Sequence, residues 1–501
     1  MHTLKDYVAY FNKNDNELYK NSIDNAHALE WLDNNVPLFE CPDKTVEMIY
    51  YFRWWTLRKH IKQTPEGFVI TEFLPDVLWS GKYNVINAAV GHHLYEARWL
   101  RNAGAYVEDY INFILSNPES TRRYSMWFVD AVVKFYEVSG NMPSDRKFVE
   151  KLCSYYEQWQ TAHGLDNGMF WSVDEYDAME YSISGTWNFE SKKGIRPTLN
   201  SYMCADCGAI SRLAENAGMT EVAEKYRQKH KKLKKQINEI LWDGDFFKAL
   251  HYNGEDFSRA LDADKTKIVR ELIGYIPWCF NLADRGREKA FCYLESEEHF
   301  YTPYGLTTAE QNHPDYLYEA DHECLWNGYI WPFATSQTLL ALKNASRYAP
   351  ESLNLKQMFV KLLKQYAESQ FITLKNGEKI PWIDEVRHPL RDEWSSRQIL
   401  KSRGWKAETG GRERGRDYNH STFCDLVISG IVGVECNAES FSVNPIIPDD
   451  WEYFKLENLR FRSSDYTVIY DKTGNVYGCG KGITVFKDGS ILNNDYQSEI
   501  R

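Results

Sequence analysis

From Val90 to Val434 helix-compatible stretches follow one another, with only short, isolated strand signals between them. Apolar residues recur at helical spacing in the stretch opening with Val90-Gly91-His92-His93-Leu94, in Met126 to Val138 and in Lys147 to Trp159. Tyr202 to Ala217 and Thr220 to Leu241 read as a helical pair, broken at Gly218 and ended by Asp243-Gly244-Asp245. Further helices are expected over Lys265 to Leu272, Pro332 to Lys343 and Leu355 to Gln370. The last runs from Ser421 to Val434, with Ser421 or Asn419 as its cap. An amphipathic helix must bury its apolar stripe against another element. Many helices in sequential pairs therefore point to a toroid or solenoid of helical hairpins. No short repeat is visible, which sets aside the common helical repeat families.

After Val434 the texture changes. Ser440 to Pro445, Tyr466 to Tyr470 and Gly482 to Phe486 alternate and are β-branched, and Lys472-Thr473-Gly474-Asn475 and Lys487-Asp488-Gly489 separate them as turns. The expected organisation is a mainly α domain over residues 1–435 and a small antiparallel β region over 436–501 packed on it. The 501 residues suit one large enzyme domain with a small accessory one.

A net charge of −12 without a long basic run argues against nucleic acid and anionic membrane surfaces as partners. Met1-His2-Thr3-Leu4-Lys5-Asp6-Tyr7 lacks the apolar core of a signal peptide, and no run of about 18 apolar residues occurs. A soluble, cytoplasmic protein is the expectation. The ten cysteines follow no disulfide framework, and Cys204-Ala205-Asp206-Cys207 has no second pair at metal spacing. The 17 Trp and 33 Tyr are partly core, but their flat faces and polar edges also suit sugars.

Two carboxylate segments about 200 residues apart stand in such aromatic surroundings. Asp177-Ala178-Met179-Glu180-Tyr181-Ser182 follows Asp166-Asn167-Gly168-Met169-Phe170-Trp171 and precedes Trp187. Pro381-Trp382-Ile383-Asp384-Glu385 carries adjacent acids, of which an extended backbone turns only one toward a pocket. Two carboxylates converging on one sugar are what glycoside hydrolysis needs. Nucleophile-elbow, phosphate-loop and dinucleotide motifs are missing where their chemistry would require them. His92-His93, His388 and His420 have no partners at metal spacing, so neither metal nor cofactor is implied.

In this order the segments resemble the (α/α)6-barrel glycoside hydrolases of the mannosylglycerate-hydrolase-like and family 63 glucosidase-like groups. Asp166-Asn167-Gly168-Met169 is similar to a family hairpin, and Glu180 falls at the position of the family's general acid. Trp326-Asn327-Gly328-Tyr329-Ile330-Trp331-Pro332 resembles a Trp-Arg-Gly-Pro-x-Trp-Pro segment, and Glu385-Val386-Arg387-His388-Pro389 the Glu-x-x-x-Pro segment of the general base. Two departures bear on the substrate more than on the reaction class. Glu180 replaces an Asp, with Asp177 as a nearby rival, and Asn327 replaces an Arg.

The resemblance implies a six-hairpin toroid and an exo-acting, inverting glycosidase on an oligosaccharide or small glycoside, with Glu180 as acid and Glu385 as base. Trp54, Trp79, Trp326 and Trp331 are the expected stacking walls. Glu72, Asn84, His93, Arg196, Asn200, Tyr202, Asp417, Tyr418 and His420 are the other expected substrate contacts. Two alternatives stay open: a lyase or sugar epimerase on the same toroid, with a His or Tyr carrying the proton, and a non-catalytic carbohydrate-binding protein. The oligomeric state is not encoded in any motif.

Overall fold

The computed structural model describes residues 3–185, 194–252, 257–258, 269–437 and 440–492. Its inner ring is formed by Val90–Ala97, Phe128–Ser139, Pro197–Asn216, Ile276–Cys279, Pro332–Ala345 and the short helix Cys424–Leu426, which continues as the π turn Val427–Ile431. Each packs on the next, and the last packs back on the first, so the ring closes. Outer elements alternate with these in sequence: Lys44–His60, Ala103–Ser116, Arg146–His163, Thr220–Gln236, the 3-10 segment Glu288–Glu295 and Leu355–Ser369. The molecule is a helical toroid of hairpins with a small antiparallel sheet.

Burial separates the two layers. Every residue of Val90–Ala97 is buried, whereas Thr220–Gln236 buries only Ala223, Tyr226 and Leu233. A helix with one apolar stripe suits the outer layer, and one buried all round must lie inside. Lys44–His60 is an outer helix that is nonetheless buried along most of its length, because Leu4–Lys13 covers it. There Tyr7 stacks on Tyr51 at 5.3 Å and donates to Glu47 at 2.8 Å.

The connections differ at the two ends of the toroid. Inner helices pass to outer ones through short links, 98–102, 140–145 and 217–219. Outer helices return through long ones, 61–89, 164–196 and 370–423. The long links gather over the N-terminal ends of the inner helices, where orphan N–H groups and the positive end of each helix dipole favour oxygen-rich ligands.

Most helices lie where the sequence places them, with boundaries moved by a few residues. Of Lys265 to Leu272, residues 265–268 lie outside the described residues, and the part that follows enters a 3-10 turn, Leu272–Tyr275. The expected helix at Ser421 begins only at Cys424, and neither Ser421 nor Asn419 caps it. The carboxylate of Glu96, on the first inner helix, accepts from the backbone N–H groups of Phe423, Cys424 and Asp425 at 3.0, 2.8 and 2.8 Å.

The sheet runs Leu38–Glu40, Tyr453–Phe461, Ser464–Asp471, Gly482–Lys487 and Ser490–Ile491, all antiparallel. Its first strand comes from the N-terminal region, ahead of the toroid. Tyr453–Phe461 gives no clean alternation in sequence, because the register shifts between Leu456 and Leu459 at a bulge where Asn458 has φ 58°. The strand packs on Phe128–Ser139, and Arg101 grips Asp465 at 2.8 Å. A separate pair, Val434–Cys436 with Phe441–Val443, leads into this region.

Candidate active site

A cavity of about 240 Å³ opens among the long links. Glu72, Trp79, Glu180, Trp331, Glu385, Tyr418 and His420 all line it, having come from five separate stretches of chain.

Glu180 sits between two residues in left-handed backbone conformation, Ala178 at φ 55° and Tyr181 at φ 64°. Neither is glycine, so the turn is strained, and surrounding bonds hold it. Trp326 N–H donates to the Glu180 carbonyl at 3.1 Å, and Tyr181 N–H donates to Asp174 at 3.1 Å. Among the described residues no side chain donates to the Glu180 carboxyl. Burial, followed by the nearby charges of Asp174, Glu72 and Glu175, raises its pKa from 4.5 to about 8. At neutral pH it is mainly protonated.

Glu385 is the opposite case. Arg414 holds it in a fork, Nε to Oε1 at 2.8 Å and Nη2 to Oε2 at 3.0 Å. Burial raises its pKa to about 7, against the pull of the Arg414 charge. The thiol of Cys324 donates to Oε2 at 3.4 Å, and burial keeps that thiol protonated by pushing its pKa well up. Arg414 also donates to Glu323 at 2.8 Å, with its guanidinium 5.0 Å above the Trp79 ring. It is 1% exposed, so the two carboxylates share one desolvated cation.

The adjacent Asp384 does not line the cavity. It accepts from Glu385 N–H at 3.0 Å and Ser396 at 3.3 Å. Gly415 must be glycine because a Cβ there would fall 1.8 Å from the Asp384 Oδ1. This contact seats the loop that delivers Arg414.

The rest of that loop is threaded through the centre by polar groups of neighbouring segments. His60 meets the carbonyl of Asp417 at 2.7 Å, His93 that of Asn419 at 2.6 Å, and Arg53 that of Ser421 at 2.8 Å. Tyr418 and Glu72 both reach His420 Nδ1, at 3.0 and 3.2 Å. Trp331 stacks on Trp326, with ring centroids 4.5 Å apart.

Several expected substrate contacts lie outside the cavity wall, with their polar groups spent on neighbours. Asp177 accepts from Arg196 at 2.7 Å, from Ser125 at 2.7 Å and from Thr198, so the Arg196–Asp177 pair is a buried brace below the Glu180 turn. Asn200 pins the 164–196 link through Phe170, at 2.9 Å to both its N–H and its carbonyl. Tyr202 accepts from Gln337 at 2.8 Å. Asn84 fastens the Trp79 loop through Val77 N–H and the carbonyls of Phe73 and Pro75. His93 is shut between Tyr110 and Asn419. Asp417 pairs with Lys59 at 2.5 Å. Trp54 is fully buried against Tyr50, and Trp326 backs Trp331 rather than facing the cavity. Trp187 lies outside the described residues.

The sequence reading passed over Arg414, Glu323, Cys324, Arg123 and Tyr124, all on the wall. Arg414 stands three positions ahead of the expected contact Asp417. The others carry no local signal.

The protein is thus a closed helical toroid whose long links form a carboxylate-lined mouth. Residues 82–421 match the mannosylglycerate hydrolase MGH1-like glycoside hydrolase domain, and the chain belongs to that family. Among solved structures, a chain named sialidase is 36% identical with a TM-score of 0.86; the match covers 98% of this chain and 44% of that one. The GH78 family rhamnosidase of Bacillus sp. GL1 is 13% identical with a TM-score of 0.55, covering 87% and 40%. The α-L-rhamnosidase of Dictyoglumus thermophilum is 13% identical with a TM-score of 0.51, covering 91% and 45%. The chain thus spans less than half the length of each of these.

Proposed function

We propose that the protein is an exo-acting, inverting glycoside hydrolase. The observation that carries this reading is one small cavity holding two unlike carboxyl groups: Glu180, unclamped and held protonated, and Glu385, clamped by Arg414. Glu180 gives its proton to the glycosidic oxygen as the bond to the anomeric carbon breaks. Glu385 takes a proton from the water that attacks that carbon. Both carboxyl groups end the turnover in exchanged protonation states and reset through solvent. Trp79 and Trp331 wall the ring, and Glu72, Tyr418 and His420 face its hydroxyls.

A cavity of this size is below the roughly 300–1,000 Å³ of pockets for drug-sized ligands, which favours one terminal ring. The sugar is read as uncharged, since Glu72, Glu323 and Glu385 outweigh Arg123 and Arg414 on the wall. The name sialidase attaches to a chain more than twice as long and does not say which part of it carries that activity. Among the described residues no helix is long and apolar enough to cross a membrane. All ten thiols are free, which fits a reducing compartment, and we place the activity in the cytoplasm.

The test is release of sugar from a panel of aryl glycosides and oligosaccharides of gluco, manno, rhamno and arabinofuranosyl configuration. The product anomer is followed by proton NMR. Glu180→Gln and Glu385→Gln are each expected to lose at least about a hundredfold in turnover. A first-formed product that retains configuration overturns the inverting assignment. Activity that persists in both variants overturns the paired-carboxylate reading.

A further inference from the structure

A second, larger cavity of about 640 Å³ adjoins the first. Trp79, Ile86, Arg123 and Tyr124 line both, so these four side chains form the partition between them. Beyond the partition the walls carry hydroxyls and an amide from Ser80, Ser116, Asn117 and Ser120, while Asn87 is spent on the Tyr124 backbone. We propose that this side cavity receives the leaving group, and that the substrate is a neutral oligosaccharide of at least three sugars rather than a small glycoside. The inference rests on the glycosidase reading above.

Size supplies the first argument. The side cavity lies well inside the range that buries multi-ring ligands, while the carboxylate cavity lies below it. A terminal ring fills the small chamber, and a one-carbon or glycerol-sized leaving group would leave the large one to water.

Lining chemistry supplies the second. Aromatic faces at the partition with hydroxyls and an amide beyond it suit the alternating apolar faces and polar rims of linked sugars. Lys82 at this wall is already paired with Glu66. Arg123 and Glu119 line the cavity with no ion pair between them or to other described residues, one charge of each sign. That balance selects no net charge in the ligand. Arg123 donates to the Trp79 carbonyl at 3.0 Å and lies 5.3 Å over the Tyr124 ring. These contacts hold its guanidinium at the partition, with other N–H groups left for hydroxyls on the first leaving-group sugar.

Remote binding of this kind raises the rate of bond cleavage when it is used to position the reacting linkage. The experiment takes the terminal sugar released in the panel above and compares its methyl glycoside, disaccharide and trisaccharide of one linkage, in wild type and in Arg123→Ala. The expected result is a rise in kcat/KM of at least about tenfold from methyl glycoside to trisaccharide, flattened in Arg123→Ala. Glu180→Gln runs beside both. Equal kcat/KM along the series, with cleavage still dependent on Glu180, overturns the leaving-group proposal and leaves the glycosidase reading standing. A rise that Arg123→Ala leaves untouched removes Arg123 from the leaving-group contacts and overturns the proposal as drawn. A panel from which no sugar is released in a Glu180-dependent way overturns both.

Discussion

At the residue scale the proposed mechanism rests on the contrast between two carboxyl groups of similar intrinsic acidity. Glu385 must be ionised to act as a base, so kcat/KM is expected to fall as pH drops through about 7. Glu180 must be protonated to act as an acid, so kcat/KM is expected to fall as pH rises through about 8. A narrow bell between these limits, measured on an unactivated oligosaccharide, is the predicted profile. A flat profile from pH 6 to 9 would contradict it. Stability carries the same signature. Between its ordinary 4.5 and about 8, Glu180 keeps its proton when folded and loses it when unfolded. The folded state therefore loses stability as pH rises across that window. Glu180→Gln removes this penalty, so its Tm is expected to exceed that of wild type by more at pH 8 than at pH 5. A scanning calorimetry comparison at the two pH values checks it. Backbone alternation alone gave no hint of which of the adjacent acids would face the cavity, and only the resemblance of Glu385-Val386-Arg387-His388-Pro389 to the family's base segment favoured Glu385. Asp384 and Glu385 are separated by backbone alternation, but the choice between them rests on Arg414, which arrives from 29 positions further along.

At the element scale the long links matter more than the helices they join. Gly415 is the tightest point of the link that carries Arg414. An added Cβ would meet Asp384, a short side chain with little room to turn aside. Gly415→Ala is expected to displace the loop and lower kcat by at least about tenfold, the scale of loss that misplacing a catalytic group brings. Far-ultraviolet circular dichroism is expected to stay close to wild type. The last inner helix depends on a cap from another element. Replacing Glu96 by Ala would leave the N–H groups of Phe423, Cys424 and Asp425 buried without an acceptor. Chemical denaturation should show a loss of about 3 kcal/mol, since each buried donor left unpaired costs roughly 1–3 kcal/mol and the chain end can relax in part. A loss well below 1 kcal/mol would mean that the cap is dispensable. Such a cap is invisible in sequence, because its donor and acceptor lie more than 300 positions apart. The local candidates Ser421 and Asn419 are drawn to Arg53 and Thr71 instead.

For the whole molecule, the toroid and the sheet are joined at both ends of the chain. Leu38–Glu40 pairs with Tyr453–Phe461, and Phe39 lies 6.3 Å from Trp451, which is almost wholly buried. Trp451→Ala is expected to destabilise by about 3–5 kcal/mol. Because the sheet shares its first strand and its core with the toroid, calorimetry should show one transition moving down as a unit. Two resolved transitions would show that the sheet folds independently.

The sequence by itself determined the outline. Helical periodicity over Val90 to Val434, β-branched alternation after it and aromatic-flanked carboxylates at Glu180 and Glu385 are local patterns. They persist in the fold because each reflects which face of a segment is buried. Only the tertiary structure decided which polar residues face the cavity. Asn84, His93, Arg196, Asn200, Tyr202 and Asp417 sit in the same segments as the residues of the wall, yet they turn to backbone groups and ion partners elsewhere. The physical reason is that closing a ring brings together links far apart in sequence and buries their polar groups. Each buried group must find a partner, and that partner is set by the closure of the ring.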